Sequence, residues 1–153
     1  EGSGRIARWL DREWSTSALA SNQVGWDWFA LQLEDGRDLM YYQLRRGDGT
    51  SDPASAGSLT DPVGKSAPLR RESVALTPRG EWQSPRSGAL YPAAWHLAVP
   101  THGLDLELIP LLADQELDVS FRYWEGAVEV RDAKSRAPLG RGYVEMTGYG
   151  QPR

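Results

Sequence analysis

The 153-residue chain contains no cysteine, which excludes disulfide bonds, thiolate metal sites and cysteine nucleophiles. It also lacks any apolar run near the roughly 20 residues that a transmembrane helix needs, so no membrane span is expected. Basic residues are scattered, with pairs only at Arg45–Arg46 and Arg70–Arg71, and the net charge is −4. Because nucleic-acid binding needs a basic stripe, no nucleic-acid partner is expected either.

Histidine is scarce as well, and the usual cofactor and nucleophile motifs are missing. His96 and His102 lie six positions apart without a carboxylate at a recognisable ligand spacing, so the sequence predicts no metal site. There is no G-x-S-x-G elbow, and the glycine-rich stretch 47–57 lacks the lysine and helix of a phosphate-binding loop. No cofactor is predicted.

Helix signals are few, whereas strand signals run along most of the chain. The one short helix candidate, 112–117, is too short to stand alone. Strand patterns occur at 26–33, 37–45, 71–78, 93–100, 104–112, 121–131 and 141–150. A turn at Asp35–Gly36 joins the first two as a hairpin, 46–68 is an excursion with a short strand in AGSLTD, and 80–92 breaks the pattern.

These patterns predict a single all-β domain over residues 1–153, with about eight antiparallel strands and little helix. Either a closed up-and-down barrel or a sandwich would satisfy them. The barrel is favoured because the strands follow one another as successive hairpins.

Two aromatic residue types are abundant: seven Trp and six Tyr stand against two Phe. Such side chains serve both sheet packing and the walls of ligand cavities. Near the C-terminus, strand alternation places Tyr123, Glu125, Ala127 and Glu129 on one face, and Tyr143, Glu145, Thr147 and Tyr149 on one face of the next strand. If these strands pair, the two faces form either a solvated outer wall or a polar, aromatic lumen. A buried pair of glutamates would raise one pKa, as in general acids.

Several segments, in order, resemble the carotenoid-hydratase-like (AttH-like) family of lipocalin-related proteins, many of which are labelled predicted secreted hydrolases. They are WLDREWSTSAL, QVGWDWFALQLEDGRDLMYYQLR, YPAAWHLAVP, YWEGAVEV and GRGYVEMTGY. The resemblance implies a lipocalin-like (calycin) barrel that corresponds to the C-terminal one of two consecutive domains. It also implies an N-terminal sister domain as partner and a secreted or periplasmic location, with or without a lipoprotein anchor.

The resemblance implies several activities, including hydration of acyclic carotenoids and cyclisation of polyenes. In the hydratase branch a His-x-Trp element stands where this chain has Arg12-Glu13-Trp14, and a Tyr-x-Asp element where it has Tyr41-Tyr42-Gln43. Hydration requires a positioned acid to protonate carbon. Because the His and the Asp are replaced, carotenoid hydration by this chain is disfavoured.

We therefore expect a barrel that binds a hydrophobic small molecule, such as an isoprenoid, a polyene or a lipid-like compound. Its expected walls are Trp14, Trp26, Trp28, Tyr41, Trp95, Trp124 and Tyr149. Glu125 and Glu145 would orient a polar group of the ligand, or act as catalytic acid and base if they are buried together. Two alternatives stay open: an enzyme (hydratase, hydrolase or cyclase) whose site is shared with the sister domain, and a structural brace with a filled barrel.

Overall fold

The computed structural model describes residues 19–118 and 122–150, and their regular structure is almost entirely β-strand. The strands are β1 (Gln23–Leu33), β2 (Asp38–Arg46), β3 (Ala56–Thr60), β4 (Ser66–Arg70), β5 (Ala75–Gln83), β6 (Leu90–Val99), β7 (Leu104–Pro110), β8 (Glu116–Asp118), β9 (Arg122–Asp132) and β10 (Pro138–Thr147). Short 3-10 turns occupy Arg71–Ser73 and Pro100–His102. The predicted all-β class with little helix is confirmed, and there are ten strands where the sequence indicated about eight.

All strands pair antiparallel in one sheet, in the order β4-β3-β2-β1-β10-β9-β7-β6-β5, with β8 added beside β9. The sheet is curled. Its curl brings Phe29 of β1 edge-to-face against Trp95 of β6, with ring centroids 5.3 Å apart, although three strands separate β1 from β6 in the sheet. This is the curled sheet of a lipocalin-like half-barrel. Its two end strands, β4 and β5, are joined by the turn Arg71–Ser73 and not by a ladder of the described residues.

Strand alternation directs the apolar residues to the inner face of the curl, as in a half-buried antiparallel sheet. The largest fully buried side chains are Trp124, Tyr41, Tyr91, Phe29, Leu31, Leu39, Leu69, Leu97, Leu106, Leu108, Met146 and Val99. Along β9 the buried residues are Trp124, Gly126, Val128 and Val130. Glu125 and Glu129 therefore lie on the outer face.

The segment 112–117 is not helical. Its first residues belong to a bulge over 111–115, and its last two begin β8. In this bulge the Gln115 side chain replaces the backbone acceptor of a neighbouring strand: its Oε1 accepts a hydrogen bond from the Ala127 N–H at 3.1 Å. A Cβ at Gly126 would collide with the Gln115 amide, so a larger residue there would displace the Gln115 side chain. The segment 80–92 is likewise more regular than expected, because β5 continues to Gln83 and β6 resumes at Leu90.

The two ends of the half-barrel differ. At one end, which we call the polar end, β1 and β9 begin and β2 and β10 finish. At the opposite end, Arg37 Nη1 donates a hydrogen bond to the His102 carbonyl at 3.1 Å and ties the β1–β2 hairpin to the turn before β7. Within residues 19–118 and 122–150, no helix is long and apolar enough to cross a membrane.

Candidate functional site at the polar end

A buried carboxylate, Asp27, lies on the inner face of β1. Its neighbours along the strand, Trp26 and Trp28, point outward and are half-buried, whereas Asp27 and Phe29 are fully buried. The chain therefore places a charged residue where the alternation calls for an apolar one. Buried carboxylates are rare unless they are paired or functional.

Three side chains surround this carboxylate. Tyr149 donates its hydroxyl to Asp27 Oδ1 at 3.0 Å, and Gln43 Nε2 donates to Oδ2 at 3.3 Å. Arg45 Nε lies 3.0 Å from the same Oδ2 as an ion pair, without the alignment of a hydrogen bond. Burial nevertheless outweighs these contacts and raises the pKa of Asp27 to about 6. We call these four residues the Asp27 cluster.

Tyr149 reaches Asp27 because of the glycine before it. Gly148 adopts φ +73°, a left-handed conformation that L side chains rarely accept. A Cβ at this position would also collide with the Val24 carbonyl. The turn breaks the alternation of β10, so Tyr149 turns inward and does not share the outer face of Glu145. Burial and the negative charge of Asp27 raise the pKa of the Tyr149 phenol above its ordinary value.

Arg45 covers the inner side of this turn. Its guanidinium carbon lies 4.0 Å from the centroid of the Tyr149 ring, and Nη2 donates to the Thr147 carbonyl. A fifth of the Arg45 side chain, 20%, is exposed to solvent. Arg45 is thus the member of the Asp27 cluster that combines a fixed charge with a solvent-facing surface.

A row of aromatic rings continues from Tyr149 along the inner face. The Tyr149 and Tyr91 centroids are 5.3 Å apart, and Tyr91 stacks on Trp82 at 6.0 Å. Trp82 is half-buried near the end of β5, and Tyr91 is buried near the start of β6. The row therefore runs from the interior to the surface at the polar end. Such rings bind flat or apolar groups and tolerate positive charge.

A second buried carboxylate, Glu116, lies at the far side of this row. Its oxygens accept hydrogen bonds from Ser84, from Ser87 at 2.5 Å and from Tyr91 at 3.2 Å. Arg122 Nε lies 3.5 Å away. Burial alone would raise the pKa of Glu116, but the three hydroxyl donors and Arg122 hold it below its ordinary value. Glu116 is therefore a charged and fully satisfied group, suited to holding the chain together.

The two glutamates singled out in the sequence do meet, but on the outer face. Glu125 and Glu145 are Cα partners across β9 and β10, and both are half-buried. Trp26 Nε1 donates to Glu145 Oε1 at 2.7 Å. Burial and the neighbouring Glu125, which accepts its hydrogen bond, raise the pKa of Tyr143 to about 12. The sequence left the lumen and the outer wall open, and the fold places this pair on the outer wall.

The expected aromatic walls do not share one face. Trp26 and Trp28 point outward, whereas Tyr41, Trp95, Trp124 and Tyr149 lie on the inner side. Trp14 lies outside the described residues. The inner four are spread over β2, β6, β9 and the turn after β10, so they surround the core without forming one flat wall.

Two other sites offer weaker chemistry. A groove of about 510 Å³ at the opposite end is lined in part by Asp35, Asp105 and Asp132, but it contains no aromatic side chain. Asp35 and Asp132 are already engaged in local turns. His96 bonds Asp105 at 2.6 Å on the half-exposed face of β6 and β7. Each of these three aspartates has a local structural partner, which leaves the polar end as the stronger candidate.

The Asp27 cluster was only partly visible in the sequence. The sequence predicts Tyr149 as a wall residue but groups it with the face of Glu145, and it points to none of Asp27, Arg45, Tyr91 and Glu116 as site residues. A usable signal existed for Asp27: it shares its strand face with Phe29, Leu31 and Leu33, where a carboxylate is out of place. Arg45 and Tyr91 carried no comparable signal, because Arg on a strand end and Tyr in a core are ordinary.

Comparison with known proteins agrees with this architecture. The crystal structure of a candidate AttH (NE1406) from Nitrosomonas europaea superposes with a TM-score of 0.79 at 35% identity, covering 90% of this chain and 42% of that one. Kievitone hydratase from Nectria haematococca superposes with a TM-score of 0.67 at 21% identity, covering 89% and 42%. The latter likeness concerns the fold alone. No curated protein matches the chain.

The chain thus spans less than half the length of these two structural neighbours. A family model described as AttH-like matches residues 5–149, which is nearly the whole sequence. The chain therefore belongs to the AttH-like family.

Proposed function

We propose that this domain binds a hydrophobic small molecule bearing a polar group, at the polar end of the half-barrel. The observation that carries the proposal is the Asp27 cluster: a buried carboxylate, an arginine and a tyrosine at the head of an aromatic row. Apolar interiors with a few convergent polar groups are typical of small-molecule sites. Arg45 would meet the polar group, and the Trp82–Tyr91–Tyr149 row would contact the apolar body.

The remainder of a longer protein would complete the site. Both structural neighbours have more than half of their length beyond the matched region. The partly exposed Trp82 and Arg45 lie at the end where additional protein could enclose a ligand. Enclosure would strengthen the charge interactions of Arg45 by excluding water.

A titration with retinoids, fatty acids and polyenes, followed by tryptophan fluorescence, tests the binding proposal. We expect saturable quenching by at least one class, weakened roughly three- to tenfold in Tyr149→Leu because an aromatic contact is lost. Tyr143→Leu is the matched control, since Tyr143 lies on the outer face. No saturable quenching by any class, or equal weakening in both variants, would count against this site.

A second candidate function is proton-transfer catalysis of the hydratase type. It is favoured by the raised pKa of Asp27, about 6, beside a tyrosine hydroxyl, and by the hydratase among the neighbours in fold. Protonated Asp27 would donate to Tyr149 Oη while the phenol passes its own proton to an alkene carbon. Water would then add to the cation and return a proton to Asp27 through Tyr149, so that the net reaction is hydration.

Turnover of an alkene substrate by the longer protein in ¹⁸O-water separates this function from binding alone. Tyr149→Phe should abolish incorporation of ¹⁸O while ligand still binds, because the relay loses its hydroxyl. Glu125→Gln and Glu145→Gln test the competing proposal that the outer pair supplies acid and base. Loss of turnover only in the outer variants would assign the chemistry to that pair and overturn the Asp27 relay.

A further inference from the structure

The indole nitrogen of Trp95 is a buried donor without an acceptor. Trp95 is 3% exposed, and its Nε1 has no hydrogen-bond partner among residues 19–118 and 122–150. Other indoles of the same sheet are satisfied: Trp124 Nε1 donates to the Ala113 carbonyl at 2.8 Å, and Trp26 Nε1 donates to Glu145. Trp95 is thus an exception to the rule that buried polar groups are paired.

An orphaned buried donor lowers stability relative to a satisfied one. A phenylalanine at this position would keep most of the apolar contact with Phe29 and would carry no donor. The indole N–H therefore contributes nothing to the fold that an apolar ring would not contribute. A partner outside the chain, with a hydrogen-bond acceptor, would account for it.

The position of Trp95 relates it to the polar end. Tyr91 and Trp95 lie on the same inner face of β6, four residues apart, which corresponds to about 13 Å along a strand. Across the curl, Trp95 touches Phe29, two residues beyond Asp27 on β1. Trp95 therefore lies on the same inner face as the aromatic row and the Asp27 cluster, but farther from the polar end.

We infer that Trp95 Nε1 donates a hydrogen bond to an oxygen of the bound molecule. This deepens the proposed binding function, on which it rests, by naming the ligand class: an elongated apolar molecule with a hydroxyl or carbonyl oxygen at its inner end. That oxygen would lie about 13 Å along the inner face from the level of Tyr91. Hydrocarbons of the same shape would fill the site without this bond.

A pair of probes with one carbon skeleton tests the inference: farnesol, an alcohol, and farnesene, a hydrocarbon. Trp95→Phe should weaken farnesol binding roughly five- to tenfold, the value of one hydrogen bond, and leave farnesene binding unchanged. Trp26→Phe is the matched control, because Trp26 points outward and its indole already has an internal acceptor. In the wild-type protein the Trp95 indole N–H resonance should move downfield with farnesol and not with farnesene, a readout that needs no variant.

The possible failures are distinguishable. If the wild type binds both probes but Trp95→Phe affects both equally or neither, Trp95 contributes shape only, and the inference falls while the proposed function stands. An indole N–H resonance of Trp95 that does not shift when farnesol binds would also overturn the inference and leave the proposed function standing. If the wild type binds neither these probes nor any retinoid, fatty acid or polyene, the proposed function falls, and the inference falls with it.

Discussion

At the scale of single residues, Asp27 is, among the residues that the structure describes, the most deeply buried carboxylate. Complete burial raises its pKa, whereas Arg45, Tyr149 and Gln43 act in the opposite direction without restoring the ordinary value of 3.8. The resulting pKa of about 6 means that the folded protein holds a proton on Asp27 over a pH range in which the unfolded chain has lost it. Stability must then depend on pH through this one group.

We predict that Asp27 makes the wild type less stable as the pH rises from about 4 to about 6. Over this window the native state binds more protons at Asp27 than the unfolded state, so the free energy of unfolding falls with pH. The fall attributable to Asp27 should be roughly 2–3 kcal/mol. Asp27→Asn removes this contribution, so the free energy of unfolding of the wild type minus that of the variant should fall by that amount over the same window.

Urea unfolding at a series of pH values between 3 and 7 measures this difference. Asp38→Asn, at an exposed position at the start of β2, is the control. A wild-type advantage that grows with pH would mean that Arg45 dominates over burial, and it would remove the acid that the hydration proposal needs.

Residues near the C-terminus illustrate how far sequence reasoning reaches at this scale. Alternation correctly placed Glu125 and Glu145 on the same face of paired strands. It failed at Tyr149, because the left-handed Gly148 ends the strand periodicity one residue earlier. A glycine in a strand pattern signals such an irregularity in general, but only the folded structure shows which way the next side chain turns.

At the scale of elements, the left-handed conformation of Gly148 in the turn after β10 positions the Tyr149 side chain against Asp27. Gly148→Ala should destabilise the protein by about 2–4 kcal/mol, because it combines left-handed strain with a collision against the Val24 carbonyl. Gly64→Ala is a matched control, since Gly64 has φ +89° but open space where a Cβ would lie. It should cost only the strain, about 1–2 kcal/mol.

Thermal or urea unfolding of the two variants, together with ligand titration, checks this prediction. Gly148→Ala should also weaken binding at the polar end, because Tyr149 can no longer reach Asp27. Equal losses of stability in both variants would mean that the Val24 contact relaxes at no cost, and unchanged binding would remove Tyr149 from the site.

Hairpins were the elements that the sequence predicted best. The Asp35–Gly36 turn and the β9–β10 hairpin formed as expected, since local turn chemistry and period-two alternation determine both. The bulge at 111–115 was not predictable in the same way. Its geometry depends on the Gln115 amide reaching Ala127 of β9, a non-local contact that replaces strand hydrogen bonds and has no signature in the local pattern.

At the scale of the whole molecule, three contacts join parts of the sheet that are not neighbours. Arg37 and the His102 carbonyl connect at the opposite end, and Phe29 and Trp95 meet in the middle. Glu116 connects the β5–β6 hairpin to β8 and β9 at the polar end. The curl of the sheet, which no local pattern specifies, is therefore fixed by a few side chains of distant strands. Of the three, the buried Glu116 contact should respond most to pH.

We predict that Glu116→Gln destabilises the protein by roughly 1.5–3 kcal/mol at pH 7, which is the range for hydrogen bonds to a charged group. The loss arises because the hydroxyls of Ser84, Ser87 and Tyr91 no longer donate to a carboxylate. Since the folded pKa of Glu116 lies below its ordinary 4.5, this stabilisation is complete above that value and is lost as the pH falls through the folded pKa. The wild-type advantage should therefore be constant from pH 6 to 8 and shrink below about 4.5. Urea unfolding measures it, with the exposed Glu81→Gln as control. A constant advantage down to pH 3 would mean that the shape of the side chain, and not its charge, holds the β5–β6 hairpin against β8 and closes the polar end.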